Sequence, residues 1–182
     1  DAPVADWPQK RRWVMEPFEA LERAAYHVGS AYTAVKDPSK TTFVYRDRLW
    51  EGADLVGLGV ASFGLVTGVH VQNLDTWETY GAAVQAGRLP LSRAYQPSLD
   101  ERLIREFILQ LKRGSVRPEY FEQKYGARPL DRFAPQLASL QAEGFLAELT
   151  PERIALTREG LLRVDSLLHR FFLPEHQRIR YT

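Results

Sequence analysis

Residues Ser98–Leu156 read SLDERLIREFILQLKRGSVRPEYFEQKYGARPLDRFAPQLASLQAEGFLAELTPERIAL, and the punctuation of this stretch decides the fold of the C-terminal half. Ser98 and Glu101 have the spacing of a capping box, in which each side chain satisfies a backbone N–H that a first helical turn leaves unpaired. Leu103, Ile104, Phe107, Ile108 and Leu111 follow at three- and four-residue steps, so a helix with one buried stripe runs up to Gly114. The spacing predicts a second short helix, Pro118–Tyr125, closed by Gly126, and a third from near Pro129 to Gly144 that buries Leu130, Phe133, Leu137 and Leu140. Phe145–Leu149 and Arg153–Leu156 read as two short strands around Pro151 and Glu152, and Thr157 caps a last helix, Arg158–Leu173. Three helices followed by a two-stranded wing make a winged-helix arrangement.

Upstream the pattern differs. Glu16–Val28 has a helical apolar face of Phe18, Leu21, Ala24, Ala25 and Val28 and is stopped by Gly29, and Ala31–Lys36 reads as a strand before the turn at Asp37–Lys40. A helix followed by a strand suits the closing unit of an α/β layer. Tyr45–Trp50 mixes charge with aromatics in neither period and is read as a loop. The run Gly57-Leu58-Gly59-Val60-Ala61-Ser62-Phe63-Gly64 then brings backbone close to something, because glycine carries no Cβ to hold a neighbour away. Two β-branched runs flank Thr67 and Gly68 and predict a hairpin, Asp75 and Glu78 predict a helix start, and Gly87 its end. The Pro-containing stretch Leu89–Pro97 is the expected domain boundary. The fold class is therefore α+β: residues 1–92 form a barrel-associated α/β unit with a β-hairpin, and residues 93–182 a winged-helix-like domain.

Composition bounds the function. Twenty-four Lys and Arg balance 23 Asp and Glu, so no net charge draws the protein to nucleic acid or to an anionic membrane. No apolar run reaches the roughly 20 residues that span a bilayer, and a cytoplasmic location is the default expectation. The sequence has no cysteine, which excludes disulfides, thiolate catalysis and thiolate-ligated metal within these residues. Its start at Asp1, with a polar, proline-containing lead-in, is read as that of an excised piece of a longer protein.

Several constellations have two readings. G-x-G-x-x-S at Gly57–Ser62 is a weak relative of the dinucleotide fingerprint, and the hairpin that follows, where a helix would be required, argues against that site. His27, His70, His169 and His176 lack the i, i+4 spacing of a helical metal site and read as solvated or structural, although His70 lies close to the glycine run. Arg46 either grips a ligand carboxylate or pairs with a local acid. The third helix of the C-terminal half carries Arg132 against Asp131 and Glu143, too little positive charge for the phosphate contacts that dominate DNA affinity.

Asp54-Leu55-Val56-Gly57-Leu58-Gly59-Val60-Ala61-Ser62-Phe63, then Gln72-Asn73, Tyr80 and the helix Asp100–Leu111 with Ile104-Arg105, resemble the second half of oxygen-independent coproporphyrinogen III oxidases and their radical S-adenosylmethionine relatives. The likeness runs from about Glu16 to the end. It implies a parent enzyme whose N-terminal barrel, absent here, binds S-adenosylmethionine and a 4Fe-4S cluster through a C-x-x-x-C-x-x-C loop. It also implies that Gly57, Gly59, Val60, Ala61, Ser62 and Phe63 face a second S-adenosylmethionine, with Phe63 as the apolar contact. The same family's H-R-N-like stretch matches Tyr45-Arg46-Asp47 at Arg46, the expected substrate carboxylate contact, with Tyr45 in place of histidine. Heme-chaperone relatives have an H-N-x-x-Y-W stretch, of which only Trp50 is present.

The expected function is that of a tetrapyrrole oxidoreductase's C-terminal part, with its own N-terminal barrel and a tetrapyrrole-like small molecule as partners and with no DNA or membrane. No catalytic or metal-ligating residue is expected in this chain, which alone should bind no cofactor and be inactive. The competing readings are a winged-helix module that binds protein or nucleic acid without catalysis, and a radical S-adenosylmethionine methyltransferase or heme-handling relative. Because thiolates are missing, anaerobic iron and sulfide reconstitution of this chain is expected to give no cluster absorption, and the chain alone should release no 5′-deoxyadenosine. Stoichiometric iron with a cluster band would overturn that expectation.

Overall fold

The computed structural model describes residues 4–177, and these form a mixture of helices and antiparallel strands. They divide into two compact units, one of residues 4–43 with 107–177 and the other of Val44–Glu106.

The first unit opens with α1, Trp7–Arg23, which starts nine residues before the helix expected at Glu16. Asp6 causes the early start: its carboxylate accepts the N–H of Gln9 at 2.7 Å, and Pro8 sits in the first turn, where its missing N–H costs nothing. The helix ends five residues early as well. Ala25 turns left-handed at φ +62°, and His27–Ser30, expected to be partly helical, is instead β1. β1 pairs antiparallel with β2, Thr33–Val35, so the expected helix-then-strand unit is a helix followed by a hairpin. The apolar face read on this helix is also not a core face, since no residue of α1 is buried.

The rest of the unit follows the C-terminal reading closely. After the last turn of α4 (Leu99–Leu111) come β6 (Ser115–Val116), α5 (Pro118–Tyr125), α6 (Pro129–Arg132), α7 (Ala134–Ala142), β7 (Leu146–Leu149), β8 (Ile154–Leu156), α8 (Arg158–Leu162) and α9 (Val164–Leu168). Gly126 and Gly144, both left-handed, close α5 and the turn after α7, as their positions predict. The third helix is divided at Phe133, because Pro135 falls where a continuous helix would need its N–H. The last helix is divided at Arg163. β6, which the periodicity does not reveal, pairs with β8 to give a sheet of order β6-β8-β7. Gly160 is required here: a Cβ would stand 2.4 Å from the Phe145 carbonyl oxygen, so α8 can lie against the start of β7 only without a side chain.

Four phenylalanines form the centre of this unit. Phe107 meets Phe133 at 4.5 Å, Phe171 at 5.1 Å and Phe121 at 5.7 Å between ring centroids, with tilted and edge-on geometries that put ring edges against ring faces. All four are buried, and truncating one to alanine typically costs about 3–5 kcal/mol.

A polar clasp ties three segments of the unit. Tyr32, in the β1–β2 turn, donates its hydroxyl to Asp165 of α9 at 2.6 Å, and Lys112, after α4, reaches the same carboxylate at 3.0 Å. Burial works against the Asp165 anion, but the hydrogen bonds from Tyr32 and Lys112 and the positive charge of Lys112 outweigh it and hold its pKa below the usual carboxylate range. A depressed folded-state pKa gives stability that is present above the unfolded value, about 3.9, and lost as pH falls through the folded one. Asp165→Asn is therefore expected to lower the unfolding temperature at pH 7, by up to about 1 kcal/mol in stability for so exposed a pair, and to differ less from the parent below about pH 4. Thermal unfolding at both pH values checks this, and an equal gap at both would refute it.

The second unit is built on a three-stranded antiparallel sheet of order β3-β4-β5: β3 Phe63–Val66, β4 Val69–Asn73 and β5 Leu91–Tyr95. The hairpin at Thr67 and Gly68 forms as predicted, with φ +49° and +80°, the two left-handed residues of a type I′ turn. β5 lies in the stretch read as a linker. Its residues are all exposed, so the burial alternation that would announce a strand is missing. Tyr45–Trp50, read as a loop, belongs to helix α2, Val44–Trp50, in which Arg46 and Trp50 stack one turn apart. α3, Trp77–Gln85, is capped by Thr76 rather than Asp75, its hydroxyl accepting from the Thr79 N–H.

Candidate functional site

The glycine run is a connection from residue 55 into β3 that folds back on the sheet. Leu55 exchanges both backbone hydrogen bonds with Leu65, at 2.6 and 2.8 Å, which starts the segment as a short extra pairing. Gly57 and Gly64 are needed for closeness: a Cβ on Gly57 would lie 2.3 Å from the Phe63 carbonyl oxygen, and one on Gly64 2.8 Å from that of Leu55. Gly59 is needed for conformation. Its φ is +100°, while its Cβ direction meets nothing nearer than the Ser62 hydroxyl at 3.5 Å.

Side chains from the sheet and from α3 hold the loop in this shape. Asn73, at the end of β4, donates Nδ2 to the carbonyls of Gly57 and Gly59, both at 2.9 Å. The Tyr80 hydroxyl of α3 accepts the Gly59 N–H at 3.0 Å. Gln72 donates Nε2 to the Ala61 carbonyl at 3.3 Å, and the Ser62 hydroxyl closes the loop on Leu58 O at 2.7 Å. The strand register shifts between Gln72 and Asn73, and an irregularity of this kind re-aims side chains, so that two successive amides both serve the loop. Asp54, just before the run, accepts the Thr67 N–H at 2.7 Å and secures the hairpin tip.

With its polar groups held by Asn73, Tyr80 and Gln72, the loop leaves apolar side chains in water. Leu58 is 83% exposed and Phe63 64%, and Val56 is exposed too. Gly57, Gly59, Val60, Ala61, Ser62 and Phe63 are thus brought together, as their sequence adjacency requires, in one rigid loop with an apolar outer edge. Arg46 is on α2, 19% exposed, with its guanidinium on Asp47 at 2.7 Å and over the Trp50 ring at 5.1 Å. A ligand carboxylate at Arg46 would share it with Asp47. His70 lies in β4, and burial followed by the nearby Arg105 charge holds its imidazole below the usual histidine range. No group of three His, Cys, Asp or Glu that could hold a metal is gathered among the described residues. No helix among them is long and apolar enough to cross a membrane. Gln72, Asn73 and Tyr80 belong to the family resemblance, but their part in holding the loop is not legible from spacing; the signal in the sequence is an amide pair closing a strand next to a glycine run.

Residues 98–163 match the family described as the HemN C-terminal domain. The chain is also similar to a solved structure, coproporphyrinogen III oxidase (HemN) from Escherichia coli, described as a radical SAM enzyme, with a TM-score of 0.73 and 20% identity. The alignment covers 94% of this chain and 42% of that one, so the chain spans less than half the length of the solved relative whose fold it shares. No curated protein sequence matches it significantly.

Asn73→Ala would strip both loop carbonyls of their shared donor. The expected result is a loss of about 1–3 kcal/mol in stability together with faster hydrogen exchange at the Gly59 and Ala61 amides. Unchanged exchange at those amides would mean that the loop holds its shape without the clamp.

Proposed function

We propose that this chain is the C-terminal part of a radical S-adenosylmethionine oxidoreductase of the oxygen-independent coproporphyrinogen III oxidase type, acting on a tetrapyrrole in the cytoplasm. The observation that carries the reading is the glycine-run loop, held by Asn73, Gln72 and Tyr80 and presenting Leu58 and Phe63 to solvent. A turn that existed only to pack would not leave its largest side chains in water. The HemN C-terminal domain match supports the family, and its start at residue 98 supports a functional division just before it, with residues 1–92 associated with the barrel and 93–182 forming the cap. The order of helices and strands from α4 to β8 supports a winged-helix reading of that cap.

The residues fit the two cofactors of such an enzyme differently. With no cysteine and no gathered metal ligands among the described residues, this chain is not suited to a 4Fe-4S cluster, which falls to the N-terminal barrel of the parent. The open edge formed by Gly57, Gly59, Val60, Ala61, Ser62 and Phe63 suits the apolar and adenosyl surface of an S-adenosylmethionine, which would supply a 5′-deoxyadenosyl radical and methionine only on taking one electron from the cluster of the parent's barrel. Gly59 permits the backbone to approach the ligand, Phe63 supplies the apolar contact, and Arg46 takes a substrate carboxylate in exchange with Asp47. The chain alone performs no chemistry.

In the full-length protein, Gly59→Val and Phe63→Asp are expected to lower turnover about tenfold or more while leaving the cluster spectrum intact, since an unpaired charge facing an apolar ligand costs more than 1 kcal/mol. Wild-type turnover in both variants, with unchanged unfolding temperatures, would show the loop to be structural.

A further inference from the structure

The sheet carries an arginine on the same face as the loop's apolar contact. Phe63 pairs with Gln72, and Gln72 pairs with Arg93 of β5, so the three form one cross-strand row. Directly paired residues of antiparallel strands share a face. Strands lie about 4.8 Å apart, which separates the Phe63 and Arg93 backbones by roughly 10 Å. At the neighbouring row, Leu65–His70–Tyr95, Leu65 is buried and Tyr95 is hydrogen-bonded to Glu101 of α4, whereas Phe63 and Arg93 are both exposed.

Gln72 fixes how Arg93 is presented. Its Nε2 is spent on the Ala61 carbonyl, so its Oε1 faces away from the loop, and there it accepts the Arg93 Nε–H at 2.6 Å. One of the five guanidinium N–H groups is used, and the two terminal nitrogens keep four donors in the planar fork that matches a carboxylate. No carboxylate among the described residues is ion-paired with Arg93, in contrast to Arg153 with Glu148, Arg158 with Glu22 and Arg170 with Glu143. The guanidinium is thus oriented in advance, through one amide, by the backbone of the very loop that presents Phe63. Prior ordering lowers the entropy lost when a ligand is gripped.

We infer that Arg93 is the carboxylate-binding group of this loop face, taking a ligand whose apolar or aromatic body lies on Phe63 and whose carboxylate reaches about 10 Å across the sheet. The inference rests on the ligand-facing reading of the loop and names the polar half of its recognition. The methionine carboxylate of S-adenosylmethionine and a propionate of a tetrapyrrole offer the same chemistry. The experiment has to tell them apart.

The full-length protein, 15N-labelled at glycine and arginine, is titrated with S-adenosylmethionine, decarboxylated S-adenosylmethionine and coproporphyrin III in turn, to millimolar concentration, following the Arg93 Nε–H and the Gly57 and Gly59 loop amides by NMR. Arg93→Met, Arg93→Lys, Gln72→Leu and Phe63→Asp are compared, with thermal unfolding of each to confirm the fold. The expected result is that Arg93→Met weakens one carboxylate probe about tenfold or more. Arg93→Lys and Gln72→Leu, which keep the charge but lose the oriented fork, should fall between. The probe that loses affinity identifies the source of the carboxylate, and if it is S-adenosylmethionine, the decarboxylated form should bind weakly and be insensitive to Arg93→Met. A ligand lost in Phe63→Asp but kept at full affinity in Arg93→Met overturns this inference and leaves the ligand-facing reading standing. If no probe perturbs the wild-type loop, that reading fails and the inference fails with it.

Discussion

One carboxamide group decides the conformation on which the candidate site depends. The carbonyls of Gly57 and Gly59 converge on Asn73 Nδ2, and with the Tyr80 hydroxyl on the Gly59 N–H they settle a loop that would otherwise compete with many alternatives. With its backbone polar groups held by Asn73 and Tyr80, the loop still leaves Leu58 and Phe63 in water, an exposure that backbone satisfaction alone does not explain. Glycine at 57 and 64 is the steric condition for the same arrangement, because either Cβ would strike a backbone carbonyl.

The other unit stands on a different principle. Phe107, Phe121, Phe133 and Phe171 come from α4, α5, the α6–α7 break and the segment after α9, so a single aromatic cluster fastens four stretches far apart in sequence. Phe133 sits at the break between α6 and α7, where Pro135 lacks the N–H that a continuous helix would need, and its ring packs on Phe107. The clasp of Tyr32, Lys112 and Asp165 adds the β1–β2 hairpin to this core through charge and hydrogen bonding instead of apolar burial.

The HemN C-terminal domain match covers residues 98–163, while the loop proposed to meet a ligand lies before it, between residues 57 and 64. The part of the chain matched in sequence and the part proposed to do the recognising are therefore distinct. The solved coproporphyrinogen III oxidase from Escherichia coli, at 20% identity, spans both with one fold. Such a pattern is expected when core packing tolerates extensive substitution but the order of elements is retained.

The sequence alone determined what short-range chemistry controls. Ser98 and Glu101 form their capping box, Thr157 caps α8, Thr67 and Gly68 make the hairpin, and the left-handed glycines at 126 and 144 end elements where they should, because each signal acts within four residues. The tertiary structure decided everything that needed a distant partner. β5 carries no burial alternation of its own and becomes a strand only because β4 offers it a hydrogen-bonding edge; β6 is two residues recruited by β8. His27–Ser30 left the expected helix for a pairing with Thr33–Val35. The site divides in the same way: the glycines were visible as a run, but Asn73 and Arg93 acquired their places only when the sheet set their register against the loop, since hydrogen-bond geometry across strands is a property of the fold and not of spacing along the chain.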